Sequence, residues 1–128
     1  MTKPLVFVGT YSIKEGRLEE TKKNLQEVTD LVEANEPRLI SFNFYLDEEG
    51  GKATCVQVHP DAASMQFHMS VIAEHLQNAF EYLDKTESLE LYGSAPHDLV
   101  ASLAEYVEPG ALRVMPAHEV GFTRAAMR

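Results

Sequence analysis

Apolar and polar positions along the chain alternate, then change period, and so divide it into short elements. Leu5-Val6-Phe7-Val8-Gly9-Thr10-Tyr11 is rich in β-branched and aromatic residues and closes on polar ones, which predicts a strand. From Arg17 the spacing lengthens. Leu18, Thr21, Leu25, Val28 and Val32 recur three or four apart on one helix face, with Glu19, Glu20, Lys22, Lys23 and Glu27 on the other. Pro37 disfavours helical geometry at Glu36, so this helix is expected to stop near Asn35. Residues 39–46 alternate again, with Ile40, Phe42, Phe44 and Leu46 on a core face and Leu39, Ser41, Asn43 and Tyr45 on a mixed one. Asp47-Glu48-Glu49-Gly50-Gly51 supplies a tight turn, and residues 53–59 return as the partner strand. Asp61 is placed to cap a second helix, whose stripe Met65, Met69, Ile72, Leu76, Ala79 and Leu83 runs to about residue 84. Residues 88–92 form a short strand. Ser94-Ala95-Pro96 opens a short helix marked by Leu99, Leu103 and Tyr106. Residues 112–123 form a last extended stretch, which Pro116 confines to a sheet edge or a bulge.

The order β-α-β-β-α-β, then a helix and a strand, is an α+β pattern. It predicts a ferredoxin-like antiparallel sheet with two covering helices, plus a short extra helix and a C-terminal strand, in one domain over residues 1–128. The sheet's other face has no helix to cover it. Leu5, Phe7 and Tyr11, with Leu39 and Tyr45, are expected to form an apolar patch there that a second copy of the chain buries. The alternative is that the extra helix and the terminal strand cover this face within one chain.

Composition narrows the choice of partners. Twenty acidic against eleven basic residues among 128 give a net charge of −9, which repels phosphate backbones and anionic lipid heads, so neither nucleic acid nor membrane is an expected partner. The longest uncharged apolar-rich run, residues 62–73, is far short of the roughly 20 residues a membrane helix needs. A single cysteine and the lack of a signal-peptide body point to the cytoplasm.

Three patterns together resemble the antibiotic-biosynthesis-monooxygenase-like branch of the dimeric α+β-barrel superfamily, over residues 5–92. They are Phe7-Val8-Gly9-Thr10-Tyr11 followed by Glu15-Gly16-Arg17-Leu18, the hairpin strand Ser41-Phe42-Asn43-Phe44-Tyr45, and His59-Pro60-Asp61 leading to Phe67-His68-Met69. The resemblance implies a dimeric α+β barrel with His68 near a pocket. It also implies activities that range from cofactor-independent oxidation of polycyclic phenols to haem degradation. Members of the last two kinds commonly use a tryptophan with an asparagine and a histidine, and this chain has no Trp.

His68 is the candidate catalytic base, since an imidazole of ordinary pKa suits proton transfer at neutral pH. Ligand-binding candidates are Asn43 and Tyr45, which share a strand face with Ser41; Tyr11 at the end of the first strand; Met65 and Met69 as an adaptable wall; and His75, seven residues from His68 on the same side of the helix. Seven helical residues span roughly 10 Å, too far for one shared ion, and Cys55 and His59 lie about 13 Å apart along a strand, so no metal site is expected. Cys55 reads as a small core residue, and Arg38 as a surface partner for carboxylates. No cofactor is implied. The sequence points to a small lipophilic or aromatic ligand bound by a homodimer, with cofactor-free monooxygenation as the activity and a non-catalytic binding or structural dimer as the alternative.

Overall fold

Alternating burial along Leu5–Ile13 marks β1 as the central strand of a five-stranded sheet, in a computed structural model that describes residues 3–124. The chain continues through α1 (Leu18–Asn35), β2 (Ser41–Asp47), β3 (Lys52–His59), α2 (Ala62–Asn78), β4 (Leu83–Tyr92), α3 (His97–Ala104) and β5 (Leu112–Met115). The strand order is β2-β3-β1-β4-β5; every pairing is antiparallel except β4 with β5. The first four strands and first two helices are thus the ferredoxin-like unit, and α3 returns the chain so that β5 extends the sheet beside β4. Gly51, at φ +65°, supplies the left-handed residue of the β2–β3 turn.

Cross-strand register shows which residues share a face. Phe42, Gln57, Phe7 and Leu91 form one row, Phe44, Cys55, Gly9 and Leu89 the next, and Leu46, Ala53, Tyr11 and Thr86 a third. These rows lie under the helices: Leu5, Phe7, Met65, Leu89, Leu91, Leu99 and Leu103 make one buried cluster, so α2 and α3 cover the same side. Leu5, Phe7 and Tyr11 therefore face the helices rather than the helix-free side. β1 is apolar on both faces, and only Thr10 and Ser12 mark its outward side. Leu39 precedes β2 and belongs to no strand. The helix-free face instead carries Val6, Val8 and Thr10 of β1, Thr54, Val56 and Val58 of β3, Ser41, Asn43 and Tyr45 of β2, and Tyr92 of β4. Of the residues assigned there from sequence, Tyr45 is on it, 61% exposed.

Two boundaries also differ. α2 ends at Asn78, a 3-10 turn occupies Ala79–Glu81, and β4 begins at Leu83, five residues earlier than expected. Ala79 and Leu83 continue the helical stripe in sequence, yet both are buried with Tyr82 in a small second cluster through the turn. β5 is four residues long and stops before Pro116, which has no N–H to continue the ladder. No helix among the described residues is long and apolar enough to cross a membrane.

Candidate functional site

The site begins where α1 ends. Glu36 continues the buried stripe of α1, four residues past Val32, while Pro37 forces it out of helical geometry to φ −126°, ψ 75°. Its backbone N–H still donates to the Val32 carbonyl at 2.9 Å, and the residue is buried, with 5% exposure. On the facing helix, Asp61 caps α2 by accepting a hydrogen bond from the Ser64 amide at 3.0 Å, and its carboxylate also pairs with Arg38. That pair ties the α1–β2 loop to the start of α2. Two turns in, His68 is fully buried on the helix's covered face.

Glu36 and His68 meet. The Nδ1 of His68 lies 2.9 and 3.0 Å from the two Glu36 carboxylate oxygens, and its Nε2 is buried with no hydrogen-bond partner. With Nδ1–H donating to the carboxylate, Nε2 presents a lone pair. Burial works against both charged forms: it pushes the Glu36 carboxyl up to about 7 and the His68 imidazolium down to about 4. The two groups share their protons as a pair, and a carboxylate buried without a full counter-charge makes that pair more ready to take one.

A second polar chain runs along the helix-facing side of β3. The Gln57 amide nitrogen donates to Cys55 Sγ at 3.4 Å, which leaves Gln57 Oε1 to accept from His59 Nε2 at 2.8 Å. His59 Nδ1 is then the acceptor for the Ser64 hydroxyl at 2.8 Å. Both ring nitrogens are satisfied in the neutral form, and burial, helped by nearby His68, lowers the His59 pKa to about 3. The His59 and His68 rings stand 5.7 Å apart. Burial pushes the Cys55 thiol up to about 12, which makes it a packing residue and not a nucleophile.

Two chambers meet at His68. The first, between α1, α2 and the sheet, has a volume of about 80 Å3; its walls include Val28, Phe42, Phe44, Tyr11 and His75. The second, about 40 Å3, lies between α2, α3 and the sheet and includes Met65, Met69, Thr86 and Tyr106. Tyr11, Gln57, His68, Ile72 and Leu76 line both. Gly9 makes room for the Tyr11 ring: a Cβ there would stand 2.6 Å from the phenol oxygen. Burial raises the pKa of that phenol, so it stays protonated and can donate.

The structure therefore gathers His68, Tyr11, His75, Met65 and Met69 around the chambers. It does not bring Asn43 or Tyr45 to them. Both point from β2 to the helix-free face, because the inward positions of that strand are Phe42 and Phe44. Glu36, Gln57 and Thr86 line or support the site and were not singled out from sequence. Glu36 and Gln57 carried a signal, as polar residues in phase with a buried stripe. Among the described residues, no group of three or more His, Cys, Asp and Glu is placed to hold a metal ion.

No family model matches the sequence, and no curated protein matches it. Solved structures do. MupZ from Pseudomonas fluorescens superposes with a TM-score of 0.75 at 20% identity, over 100% of this chain and 94% of that one. A conserved protein from Methanosarcina mazei Go1 gives 0.61 at 20% identity, over 70% of this chain and 90% of its own. A protein of Bacteroides thetaiotaomicron VPI-5482, provisionally described as an antibiotic biosynthesis monooxygenase, gives 0.58 at 20% identity, over 70% and 85%. At these identities the likeness speaks for the fold. The chain has the ferredoxin-like α+β fold of the antibiotic-biosynthesis-monooxygenase-like proteins.

Proposed function

We propose that the protein binds a small, largely apolar aromatic molecule in the chambers beside His68, and that the His68–Glu36 pair removes a proton from it. The observation that carries this reading is the unpartnered, buried Nε2 of His68, a residue that lines both apolar chambers, with its Nδ1 fixed by a carboxylate. Proton uptake at Nε2, with Nδ1–H passing to Glu36, leaves the pair neutral, which a low-dielectric site favours. Tyr11 then stands as a neutral hydroxyl able to hold the oxygen of the deprotonated ligand.

The activity that fits is monooxygenation without a cofactor. An anthrone-like ligand, which enolises to a phenol, loses the phenol proton to His68, and the anion gives electrons to dioxygen from its ring carbon. One oxygen atom becomes the new carbonyl, and the other leaves as water with the two hydrogens of the oxidised carbon. The protein's part is deprotonation, orientation and exclusion of bulk water. The reading includes a homodimer through the helix-free face, supported by the valines of β1 and β3 at its centre and by Tyr45 and Met115, 61% and 54% exposed, toward its edges.

Adding anthrone or 1-naphthol to the protein is expected to raise its melting temperature in proportion to the logarithm of ligand concentration. Anthrone in air is expected to consume oxygen above the buffer rate, on a particle sedimenting as a dimer. No ligand-dependent shift would overturn the reading. A shift without oxygen uptake would leave a binding protein and remove the oxidation step.

A further inference from the structure

We infer that Thr86 is a specificity-determining residue of the second chamber, and that the ligand is an aromatic compound bearing two oxygen functions, one set against His68 Nε2 and the other against the Thr86 hydroxyl. The inference rests on the proposed function, since it takes His68 Nε2 as the first polar anchor.

Among the described residues, two buried side-chain polar atoms have no hydrogen-bond partner: His68 Nε2 and Thr86 Oγ1. Both residues line the same chamber. Buried polar groups are nearly always paired, so two orphans in one cavity point to a ligand that pairs them. Gln57, another polar group on that wall, is already engaged with His59 and Cys55; Tyr11 and Tyr106 bring phenol groups to it, and Met65, Leu89 and Leu103 are apolar.

Backbone irregularity places Thr86 there. Going back along β4, Leu91 and Leu89 face the helices, and strict alternation would turn Glu87 inward next. The register slips instead: Thr10 pairs with Ser88, but Tyr11 pairs with Thr86, so Glu87 is the extra residue of a β-bulge. Glu87 then pairs with Lys52 at 2.9 Å, and Thr86, 8% exposed, takes the inward place beside Tyr11. The bulge substitutes a neutral hydroxyl for a carboxylate at the chamber wall. A valine of the same shape would fill the space without an unpaired polar atom, so the hydroxyl is useful only when something bonds to it.

The test is a comparison of affinities in the whole chain. Wild type and Thr86→Val are titrated calorimetrically with 1-naphthol and with the 1,5-, 1,8- and 2,6-dihydroxynaphthalenes. At least one diol is expected to bind wild type about tenfold tighter than 1-naphthol, roughly the factor of one hydrogen bond, although diols are the more water-soluble compounds. Thr86→Val is expected to lose that preference and to melt no lower than wild type when unliganded; Thr86→Ser keeps the preference. A diol preference that survives Thr86→Val, or no preference in wild type, overturns the role of Thr86. If 1-naphthol fails to bind wild type, or binds His68→Gln equally well, it is the proposed function that fails, and the inference falls with it.

Discussion

Replacing His68 with glutamine is expected to lower turnover of an anthrone in air by about 10²–10⁴-fold, the usual worth of a positioned general base. Glutamine can still donate to the Glu36 carboxylate, so the buried acid keeps a partner and the fold keeps its packing. What it cannot do is accept a proton at the Nε2 position. The companion variant is Glu36→Gln, whose amide oxygen still accepts from His68 Nδ1 and holds the same tautomer. In wild type the competent state is the ionised carboxylate with neutral imidazole, so kcat/KM rises as pH rises through about 7. In Glu36→Gln that rise disappears. His68, whose pKa burial lowers to about 4, is then the free but weak base throughout the neutral range, and the rate is low and nearly flat. A stopped oxygen-uptake assay across pH reads both. Retained activity in His68→Gln, or an unchanged pH profile in Glu36→Gln, would move the base elsewhere.

Acid is expected to destabilise the protein through its two buried histidines. The folded pKa values of His59 and His68 are depressed to about 3 and about 4, against 6.5 in the unfolded chain. Their contribution is complete above pH 6.5 and is lost as pH falls through those folded values, because only the unfolded chain binds the proton in between. Each depressed histidine gives a slope of about 1.4 kcal/mol per pH unit over its window. Glu36 has the opposite sign: its folded pKa of about 7 lies above the unfolded 4.5, so its contribution is present below 4.5 and lost as pH rises through 7. Between 6.5 and 4.5 Glu36 offsets one histidine, and the net loss on acidification is about 1.4 kcal/mol per unit; below 4.5 the offset ends and the fall steepens. Denaturant unfolding at a series of pH values measures this. His59→Gln should be less stable at neutral pH, having lost one of the two side-chain bonds of His59, yet should show an acid limb shallower by about one proton. An acid limb identical in wild type and His59→Gln would show that the imidazole is not held neutral.

Much of the fold was legible because its elements bury one face each. The three-and-four spacing of α1, the alternation of β2 and β3 around a double-glycine turn, and Asp61 before α2 all appear as read. The inward direction of β1 was not legible, since Val6 and Val8 are as apolar as Leu5 and Phe7, and direction is set by what the helices bring to the sheet. The start of β4 was hidden by its bulges: Asp84, Lys85 and Glu87 carry no clean period of two, and Ala79 and Leu83 mimic one more helical turn. At the site, His68 stood out by its place on an apolar helix. Its partner Glu36 comes 32 residues earlier, and only the fold shows that the end of α1 lies against the middle of α2. Asn43 and Tyr45 drew notice as polar and aromatic groups on a strand; their side of the sheet was read correctly, but the chambers lie on the other side.

The central claim is that His68 offers an unprotonated Nε2 to the chambers while Glu36 holds the proton-bearing Nδ1. The most direct measurement is the side-chain 15N spectrum of His68, in protein labelled at histidine, about one pH unit above the Glu36 midpoint of about 7. The expected spectrum has Nε2 at a pyridine-type shift and Nδ1 at a pyrrole-type shift, with Nε2 moving on addition of 1-naphthol and both assignments abolished in His68→Gln. A pyrrole-type Nε2 under those conditions, unmoved by ligand, would contradict it.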